Sequence, residues 1–288
     1  MTARPTAPLS LSTPAGQSLG AMPCCLSSFL DRVIHGDNCE TLAAMPAESV
    51  DMVMTSPPYD DLRTYGGHSW DFERLAKELH RVMKPGGVVV WNVADGVVDG
   101  FKTLSSMKQA IYFDSIGLKM HDSMVYEKSG VAYPDSTRYL QVAEWVWVMS
   151  KGKPKTTNLL RDRPNKYVGK MGGNKRGGLC ERGELGIRFN VWRYSNGRDN
   201  STKDRCAHDH PAIMPEGLAM DHIQSWSNPG DVVLDPFAGS GTTLKAAKEL
   251  GRRFVGVEIN PEYVAICHKR LAQEVLNLFP DNTLLDHP

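Results

Sequence analysis

The stretch DVVLDPFAGSGTT, residues 231–243, joins a predicted strand to a predicted helix through a glycine-rich turn. Its apolar start indicates a buried strand, and the residues from Thr242 onward indicate a helix. Gly239 and Gly241 allow the backbone to turn tightly and to approach a ligand closely. A strand, a glycine-rich turn and a helix in this order are typical of the first unit of a nucleotide-binding half-sheet.

An acidic residue follows at the end of the next predicted strand. Glu258 stands 23 residues after Asp235, and an acid about 20 residues on is placed to bind ribose hydroxyls. The turn lacks the GxGxxG pattern and no Walker lysine follows it, which favours a nucleoside without a pyrophosphate. Asp235, at the carboxyl end of its strand, would repel phosphate but can hold an ammonium group. S-adenosylmethionine has both a ribose and an amino-acid ammonium.

Strand and helix signals alternate on both sides of this stretch. Predicted strands cover residues 32–35, 50–54, 88–91, 119–126, 142–149, 231–234 and 254–257, and predicted helices cover 39–45, 69–84, 101–116, 211–226, 242–250 and 261–278. Apolar strands that alternate with helices predict a doubly wound, mostly parallel sheet covered on both faces.

Composition narrows the class of protein. The chain has 288 residues, of which 41% are hydrophobic and 23% charged, which excludes wholesale disorder, collagen and coiled coil. No apolar run is long enough for a transmembrane helix, so no membrane partner is expected. The six cysteines form no CxxC pair, which favours reduced thiols in a cytoplasmic protein.

The zero formal net charge hides an uneven distribution. Residues 151–210 contain 15 Lys or Arg and 6 Asp or Glu, so they carry +9 and the remainder carries −9. Such a cationic segment beside an acidic remainder favours contact with nucleic-acid phosphates. Zinc binding by Cys180, Cys206, His208 and His210 is not expected, because their spacing is unusual, and no metal site is predicted.

A second motif, TSPPY at residues 55–59, follows the predicted strand of residues 50–54. Pro57 and Pro58 fix the backbone and remove two N–H donors, so the loop offers carbonyl acceptors, one hydroxyl and one aromatic face. This suits a flat group that bears an exocyclic NH2. The Ser56 hydroxyl and the Pro57 carbonyl can accept its two hydrogens, while Tyr59 stacks on the ring.

Together the two motifs resemble those of the amino-DNA methyltransferases. TSPPY resembles the catalytic motif and DPFAGSGTT the cofactor motif, and their order resembles the β group of the family. The resemblance covers about residues 31–275 and implies a seven-stranded sheet. It also implies base flipping, with double-stranded DNA as the substrate and S-adenosylmethionine as the cofactor.

The resemblance also implies roles for particular residues. The implied catalytic residues are Ser56, Pro57, Pro58 and Tyr59, and the implied cofactor-binding residues are Asp37, Asp235, Pro236, Phe237, Gly239, Ser240, Gly241, Thr242 and Glu258. HPAIMP, residues 210–215, matches a segment beside the methionine part of the cofactor. VYEKSGVAYP, residues 125–134, and Glu144 match the segment that lines the target-base pocket.

Composition, charge and the resemblance together divide the chain into four parts. Residues 1–30 are expected to be a flexible N-terminal extension in which Met22 is an alternative start, 31–150 the catalytic half, 151–209 the target-recognition region and 210–288 the cofactor-binding half. DNA contacts are expected from Lys166, Lys170, Lys175, Arg176, Arg188 and Arg193. A cognate restriction endonuclease is expected as a genetic partner, and no oligomeric state is predicted.

Several activities remain open at this point. Family members with Ser before Pro-Pro-Tyr mostly methylate cytosine N4, and those with Asp or Asn mostly methylate adenine N6, so cytosine is preferred and adenine is the alternative. A methyltransferase that acts on protein glutamine or RNA is disfavoured by the order of the motifs and by the basic segment. A DNA-binding regulator without activity is disfavoured by the intact Ser56, Tyr59, Asp235 and Glu258.

Overall fold

The computed structural model describes residues 25–59, 70–130, 137–173 and 178–273. The helices are α1 Asn38–Ala44, α2 Phe72–Val82, α3 Ser105–Ser115, α4 Arg198–Ser201, α5 Glu216–Trp226, α6 Thr242–Glu249 and α7 Pro261–Leu271, with two 3-10 turns at Leu26–Ser28 and Arg205–Ala207. The strands are β1 Arg32–His35, β2 Val50–Thr55, β3 Met83–Val93, β4 Val97–Val98, β5 Phe101–Lys102, β6 Leu118–Lys128, β7 Ala143–Lys151, β8 Arg161–Pro164, β9 Met171–Gly173, β10 Leu179–Glu181, β11 Leu185–Ile187, β12 Val191–Tyr194, β13 Val232–Asp235 and β14 Arg253–Glu258.

One large sheet organises the molecule, with the strand order β1-β14-β13-β2-β3-β7-β6-β12. Neighbouring strands run parallel except where β7 pairs with β3 and β6. The predicted α/β class with a mostly parallel sheet is therefore confirmed. The sheet has eight strands where seven were expected, because β12, from the basic segment, pairs in parallel with β6. Three two-stranded ribbons, β4–β5, β8–β11 and β9–β10, complete the described strands.

Helices cover both faces of the sheet. Successive strand residues point to opposite faces, so Val53 joins the core beneath α1, α2 and α3, while Met52 joins the core beneath α5 and α6. Leu75 and Leu79 of α2 are fully buried, and the Asp71 side chain caps that helix by accepting from the Arg74 N–H at 3.0 Å. This two-sided burial explains why the central strands read as apolar runs.

The N-terminal residues of the described part belong to this core. Phe29 is buried among the side chains of the first face, with Leu26 and Leu30 packed beside it. Residues 1–24 lie outside the described residues. The packed part of the chain therefore begins before Asp31.

The prediction of a helix over residues 101–116 was wrong at its start. Strands β4 and β5 form a hairpin with Val98 opposite Phe101, and α3 begins only at Ser105. Asp99 and Gly100 both have positive φ, 50° and 84°, which is the conformation that an Asp-Gly turn provides between two short strands.

The helix predicted over residues 211–226 also begins later, at Glu216. Pro215 disfavours helical backbone at Met214, so the chain reaches the helix in a non-helical conformation. Helix α2 spans only Phe72–Val82 of the predicted 69–84, and residues 274–278 of the last predicted helix lie outside the described residues.

Gly256, in the middle of β14, provides a test of this packing. A Cβ atom there would lie 2.4 Å from Leu244 Cδ1 of α6, so the helix has no room for a methyl group. We expect Gly256→Ala to lower the free energy of unfolding by about 1–3 kcal/mol, as overpacked cores do. Chemical denaturation checks this, with Gly183→Ala as the matched control, because a Cβ at Gly183 meets nothing within 4 Å. Equal stability of the two variants would contradict the described packing of α6 on the sheet.

Candidate active site

A cavity of about 1470 Å³ opens where strands β2, β3, β13 and β14 end. Its lining contains both sequence motifs: the loop of residues 56–59 lies on one side, and Asp235 to Ser240 lie on the other. Asp37, Thr242 and Glu258 line it as well. Ligands of open α/β sheets bind at the carboxyl ends of the strands, which is where the fold places this cavity.

Two glycines make the turn after β13 possible. Gly239 and Gly241 have φ of +51° and +81°, the left-handed region that side chains disfavour. A Cβ at Gly239 would lie 3.0 Å from His210 Nε2, and a Cβ at Gly241 would lie 3.0 Å from Cys267 Sγ. Gly241 is the N-cap residue of α6 and does not itself line the cavity.

Asp235, the last residue of β13, is only 3% exposed. Its Oδ1 accepts from Thr55 Oγ1 at 2.7 Å and from the Phe237 N–H at 3.0 Å. Burial nevertheless raises the pKa of Asp235 to about 6, and these hydrogen bonds offset only part of the effect. A buried carboxyl at the floor of the cavity is suited to receive a cationic group.

The other two predicted acids take part in backbone hydrogen bonds. Glu258 Oε2 accepts from the Gly239 N–H at 2.8 Å, and its Oε1 accepts from the Asn260 N–H at 2.8 Å. The Asp37 side chain caps α1 by accepting from the Glu40 N–H at 2.9 Å. Both carboxylates are thereby fixed within the cavity lining.

A buried arginine supports the glycine turn from behind. Arg270 of α7 is 1% exposed, and its guanidinium donates to the Ser240 carbonyl at 2.8 Å and to Thr242 Oγ1 at 3.0 Å. The same group pairs with Asp204 at 3.0 Å and Glu216 at 2.7 Å. Arg270 was not predicted as a site residue, because a basic residue near a helix C-terminus usually faces solvent.

The remaining cofactor candidates, Pro236 and Phe237, are held by neighbours outside the motif. The Asn38 amide donates to the Pro236 carbonyl at 3.3 Å, and the Phe237 ring meets Trp70 edge to face at 5.0 Å. His210, predicted to lie beside the cofactor, lines the cavity and contacts the Tyr263 ring at 4.3 Å. Among the described residues, no cluster of His, Cys, Asp and Glu could hold a metal ion.

On the opposite side, Ser56, Tyr59 and Glu144 form a continuous hydrogen-bonded chain. Ser56 Oγ lies 2.8 Å from the Tyr59 hydroxyl, and that hydroxyl donates to Glu144 Oε2 at 2.9 Å. Asn92 Nδ2 donates to the Tyr59 oxygen at 2.7 Å and to Glu144 Oε2 at 2.8 Å. Lys128 Nζ donates to Glu144 Oε1 at 3.0 Å. The loop of residues 56–59 is thus tied to strands β3, β6 and β7.

Asn92 and Lys128 were not singled out from the sequence. Asn92 lies near the end of β3, where it is 3% exposed in an otherwise apolar run, VVVWNV. A polar residue inside such a run is a usable signal, since a buried amide requires partners. Lys128 fell within the segment matched to the base pocket, but only the structure shows its partner, Glu144.

Four of the residues predicted to contact DNA are described, namely Lys166, Lys170, Arg188 and Arg193, and these four lie outside the cavity lining. Lys166 and Lys170 approach the Tyr167 ring at 5.6 and 5.0 Å. Arg188 pairs with both Asp162 and Asp221. Arg193, whose side chain is 73% exposed, pairs with Glu127 at 2.6 Å. Lys175 and Arg176 lie outside the described residues, and DNA contact by any of the six stays a prediction.

The raised pKa of Asp235 predicts a pH-dependent stability. The folded chain favours the neutral carboxyl, so its contribution is complete below the unfolded pKa near 4 and is lost as the pH rises through about 6. Asp235→Asn cannot ionise, so the cofactor-free variant should gain roughly 2–3 kcal/mol over wild type between about pH 4 and pH 6. Denaturant unfolding of both proteins across this range checks it. Parallel stability curves would show that Asp235 ionises freely in the fold.

Comparison with known proteins places this geometry in a family. The DNA methylase family that comprises N4-cytosine and N6-adenine enzymes matches residues 50–269. The orphan methyltransferase M.BamHII of Bacillus amyloliquefaciens is 49% identical over 242 residues, which cover 79% of this chain and 91% of the relative. The DNA adenine methyltransferase YhdJ of Escherichia coli K12 is 30% identical over 272 residues, which cover 88% and 86%.

Solved structures share the fold. The PvuII DNA methyltransferase, described as cytosine-N4-specific, matches with a TM-score of 0.63 at 22% identity over 88% of this chain and 87% of that one. TTHA0409 of Thermus thermophilus, complexed with S-adenosyl-L-methionine, matches with a TM-score of 0.59 at 26% identity over 84% and 93%. The cofactor is S-adenosylmethionine, and the chain belongs to the N6/N4 DNA methylase family.

Proposed function

We propose that this DNA methyltransferase transfers the methyl group to the N4 amine of a cytosine that is flipped out of double-stranded DNA. The observation that carries the proposal is that one cavity joins the Ser-Pro-Pro-Tyr loop to the glycine turn and its two acids. An amine paired inside a duplex cannot reach this cavity, so the target base has to leave the stack.

The lining fits S-adenosylmethionine. We assign Asp235 to its ammonium group, Glu258 to its ribose hydroxyls and Asp37 to its adenine. The ammonium keeps Asp235 ionised, which offsets the burial that raises the pKa of this carboxyl. The cofactor supplies an electrophilic methyl group on a sulfonium, and the protein's task is to hold the amine in line with it.

The catalytic loop positions the amine. Ser56 and Pro57 lie in the cavity lining, where the serine hydroxyl and the proline carbonyl accept the two amine hydrogens. Accepting both hydrogens pulls the nitrogen lone pair out of conjugation with the ring and directs it at the methyl group. Tyr59 stacks on the base, and its hydroxyl is held by Asn92 and Glu144.

In this proposal, three regions of the chain have separate roles. Residues 31–150 supply the catalytic loop and 210–288 the cofactor site, while 151–209 supply phosphate and base contacts through Lys166, Lys170, Lys175, Arg176, Arg188 and Arg193. The location of the enzyme is a separate point. Among the described helices, none is long and apolar enough to span a bilayer. We place the enzyme in the cytoplasm, where chromosomal DNA is available.

Methylation of adenine N6 is the second candidate. The relative from Escherichia coli at 30% identity is described as an adenine methyltransferase, and both bases present a similar exocyclic amine. Cytosine is preferred because Ser56 precedes Pro-Pro-Tyr in place of Asp or Asn. A companion restriction endonuclease stays a proposal, since the relative at 49% identity is described as an orphan methyltransferase.

Identification of the methylated nucleoside tests the proposal. The protein is incubated with methyl-labelled S-adenosylmethionine and unmethylated DNA of mixed sequence, and the digested nucleosides are separated by mass spectrometry. N4-methyl-2′-deoxycytidine is the expected product. N6-methyl-2′-deoxyadenosine would be consistent with the same mechanism but would overturn the inference from Ser56 that the target base is cytosine. Absence of transfer by folded protein that binds the cofactor would overturn the proposed function.

Truncation of Tyr59 provides a test of the pocket. Tyr59→Ala removes the stacking face and the hydroxyl held by Asn92, so methyl transfer should fall by roughly 10²-fold or more, while cofactor affinity stays unchanged. Single-turnover transfer and equilibrium cofactor binding measure the two quantities. Unchanged transfer by a normally folded variant would contradict the assignment of this loop to the target base.

A further inference from the structure

The chain of hydroxyl groups at Ser56 and Tyr59 has a fixed direction. Asn92 Nδ2 can only donate, and it donates to the Tyr59 oxygen at 2.7 Å. Glu144 as a carboxylate can only accept, so the Tyr59 proton points to Glu144 Oε2, 2.9 Å away. The Ser56 proton then points to the Tyr59 oxygen at 2.8 Å. Asn92 Nδ2 lies 3.5 Å from Ser56 Oγ, too far for a strong hydrogen bond, so a serine lone pair is available to the substrate amine.

We propose that Ser56, Tyr59 and Glu144 form the path by which the methylated amine loses its proton, an inference that rests on the proposed function. The reaction needs such a path, because an amine that gains a methyl group keeps both hydrogens and becomes positively charged. One of these hydrogens lies against Ser56 Oγ in the proposed pose, at the start of the chain.

The step balances in atoms and charge. The nitrogen lone pair forms the N–C bond, and the C–S bond breaks with its electron pair moving to sulfur. The amine proton then moves to Ser56 Oγ as the Ser56 proton moves to Tyr59 and the Tyr59 proton moves to Glu144. The products are a neutral methylamino base, a neutral thioether and a protonated Glu144, which returns its proton to water before the next turnover.

The surroundings of Glu144 suit a terminal acceptor. Lys128 holds Oε1 at 3.0 Å, so Oε2 is the oxygen that faces the chain, and Tyr126 stands opposite Glu144 on β6. Burial and the charge of Glu144 raise the pKa of Tyr126, so Tyr126 stays neutral. Asp95, Lys102 and Asp209 are further charged residues in the lining of the whole cavity.

Asn92 acts here as a positioning residue. Its amide bridges Tyr59 and Glu144, and it sits on β3 beside β7, the strand that carries Glu144. Loss of the amide would remove the donor that directs the Tyr59 proton to Glu144 and would weaken the direction of the hydrogen-bonded series. Asn92 itself need not touch the substrate.

The experiment compares the hydrogen-bonded series Ser56–Tyr59–Glu144 with another Tyr–Glu hydrogen bond elsewhere in the protein. Tyr59→Phe and Glu144→Gln each remove one proton-carrying group of the chain. Tyr112→Phe and Glu73→Gln remove the same groups from a remote hydrogen bond of 3.3 Å outside the cavity. Single-turnover methyl transfer is measured across pH at saturating S-adenosylmethionine, together with cofactor affinity and the low-field proton NMR spectrum of the cofactor-free proteins.

We expect both chain variants to bind the cofactor normally and to transfer the methyl group roughly 10²-fold or more slowly, the range of general base catalysis. In wild type, the rate of methyl transfer should rise with pH as the enzyme loses one proton. Glu144→Gln should abolish this rise. The remote variants should keep the wild-type rate and profile. A low-field hydroxyl resonance should be present in wild type and the remote variants and missing from both chain variants.

Two other outcomes would distinguish failure of the proton path from failure of the proposed methyltransferase function. Wild-type rates and pH profiles in both chain variants would show that the proton leaves directly to water, which would overturn the path but keep the enzyme. Failure of wild type to methylate any DNA would overturn the proposed function and the path with it. If Glu144→Gln does not fold, Tyr59→Phe alone, which removes only one oxygen atom, tests whether the proton leaves through these side chains.

Discussion

The hydrogen bond from Thr55 Oγ1 to Asp235 Oδ1, 2.7 Å long, joins the two halves of the site. Thr55 ends β2 and leads into the Ser-Pro-Pro-Tyr loop, while Asp235 ends β13 and leads into the glycine turn. Thr55 and Asp235 are buried, at 0% and 3% exposure, so loss of this bond would leave a buried polar group without its partner. The bond therefore fixes the spacing between the loop that would hold the base and the turn that would hold the cofactor.

Buried polar residues support each half in turn. Arg270 fixes the glycine turn through Ser240 and Thr242, and Asn92 fixes the Tyr59 hydroxyl against Glu144. Arg270 belongs to the helix α7 and Asn92 to the strand β3, and the polar atoms of both residues hold loops that leave the sheet. A transfer reaction that depends on in-line geometry gains from such rigid support, because small displacements of the reacting atoms are costly.

The sequence predicted the elements with strong local signals. The apolar strand before Asp235, the left-handed turn at Gly239 and Gly241 and the α/β class all follow from patterns of a few residues. The hairpin before α3 was missed although Asp99-Gly100 is a turn signal, because apolar residues around it also fit a helix. The predicted start of α5 was too early because Pro215 restricts the backbone before it, whereas the apolar pattern alone does not mark where the helix begins.

The sequence did not predict which side chains are the hydrogen-bond and ion-pair partners of these polar residues. Asn92 lies on β3, while Lys128 and Glu144 lie on the later strands β6 and β7, and the strand order places β7 between β3 and β6. The pairing of Arg188 with Asp162 and Asp221 likewise depends on tertiary contacts. Residue types and spacing therefore pointed to two motifs whose residues line one cavity, but they did not reveal which buried side chains orient those residues.

The most direct test of the proposed site is a crystal structure of the protein with S-adenosylhomocysteine and a short duplex that contains its target sequence. We expect a base outside the helix, with its amine nitrogen within hydrogen-bond distance of Ser56 Oγ and the Pro57 carbonyl. We also expect the amino group of S-adenosylhomocysteine to lie against Asp235. A base that binds away from the loop of residues 56–59, or a cofactor that binds away from Asp235, would contradict the joining of the two motifs in one site.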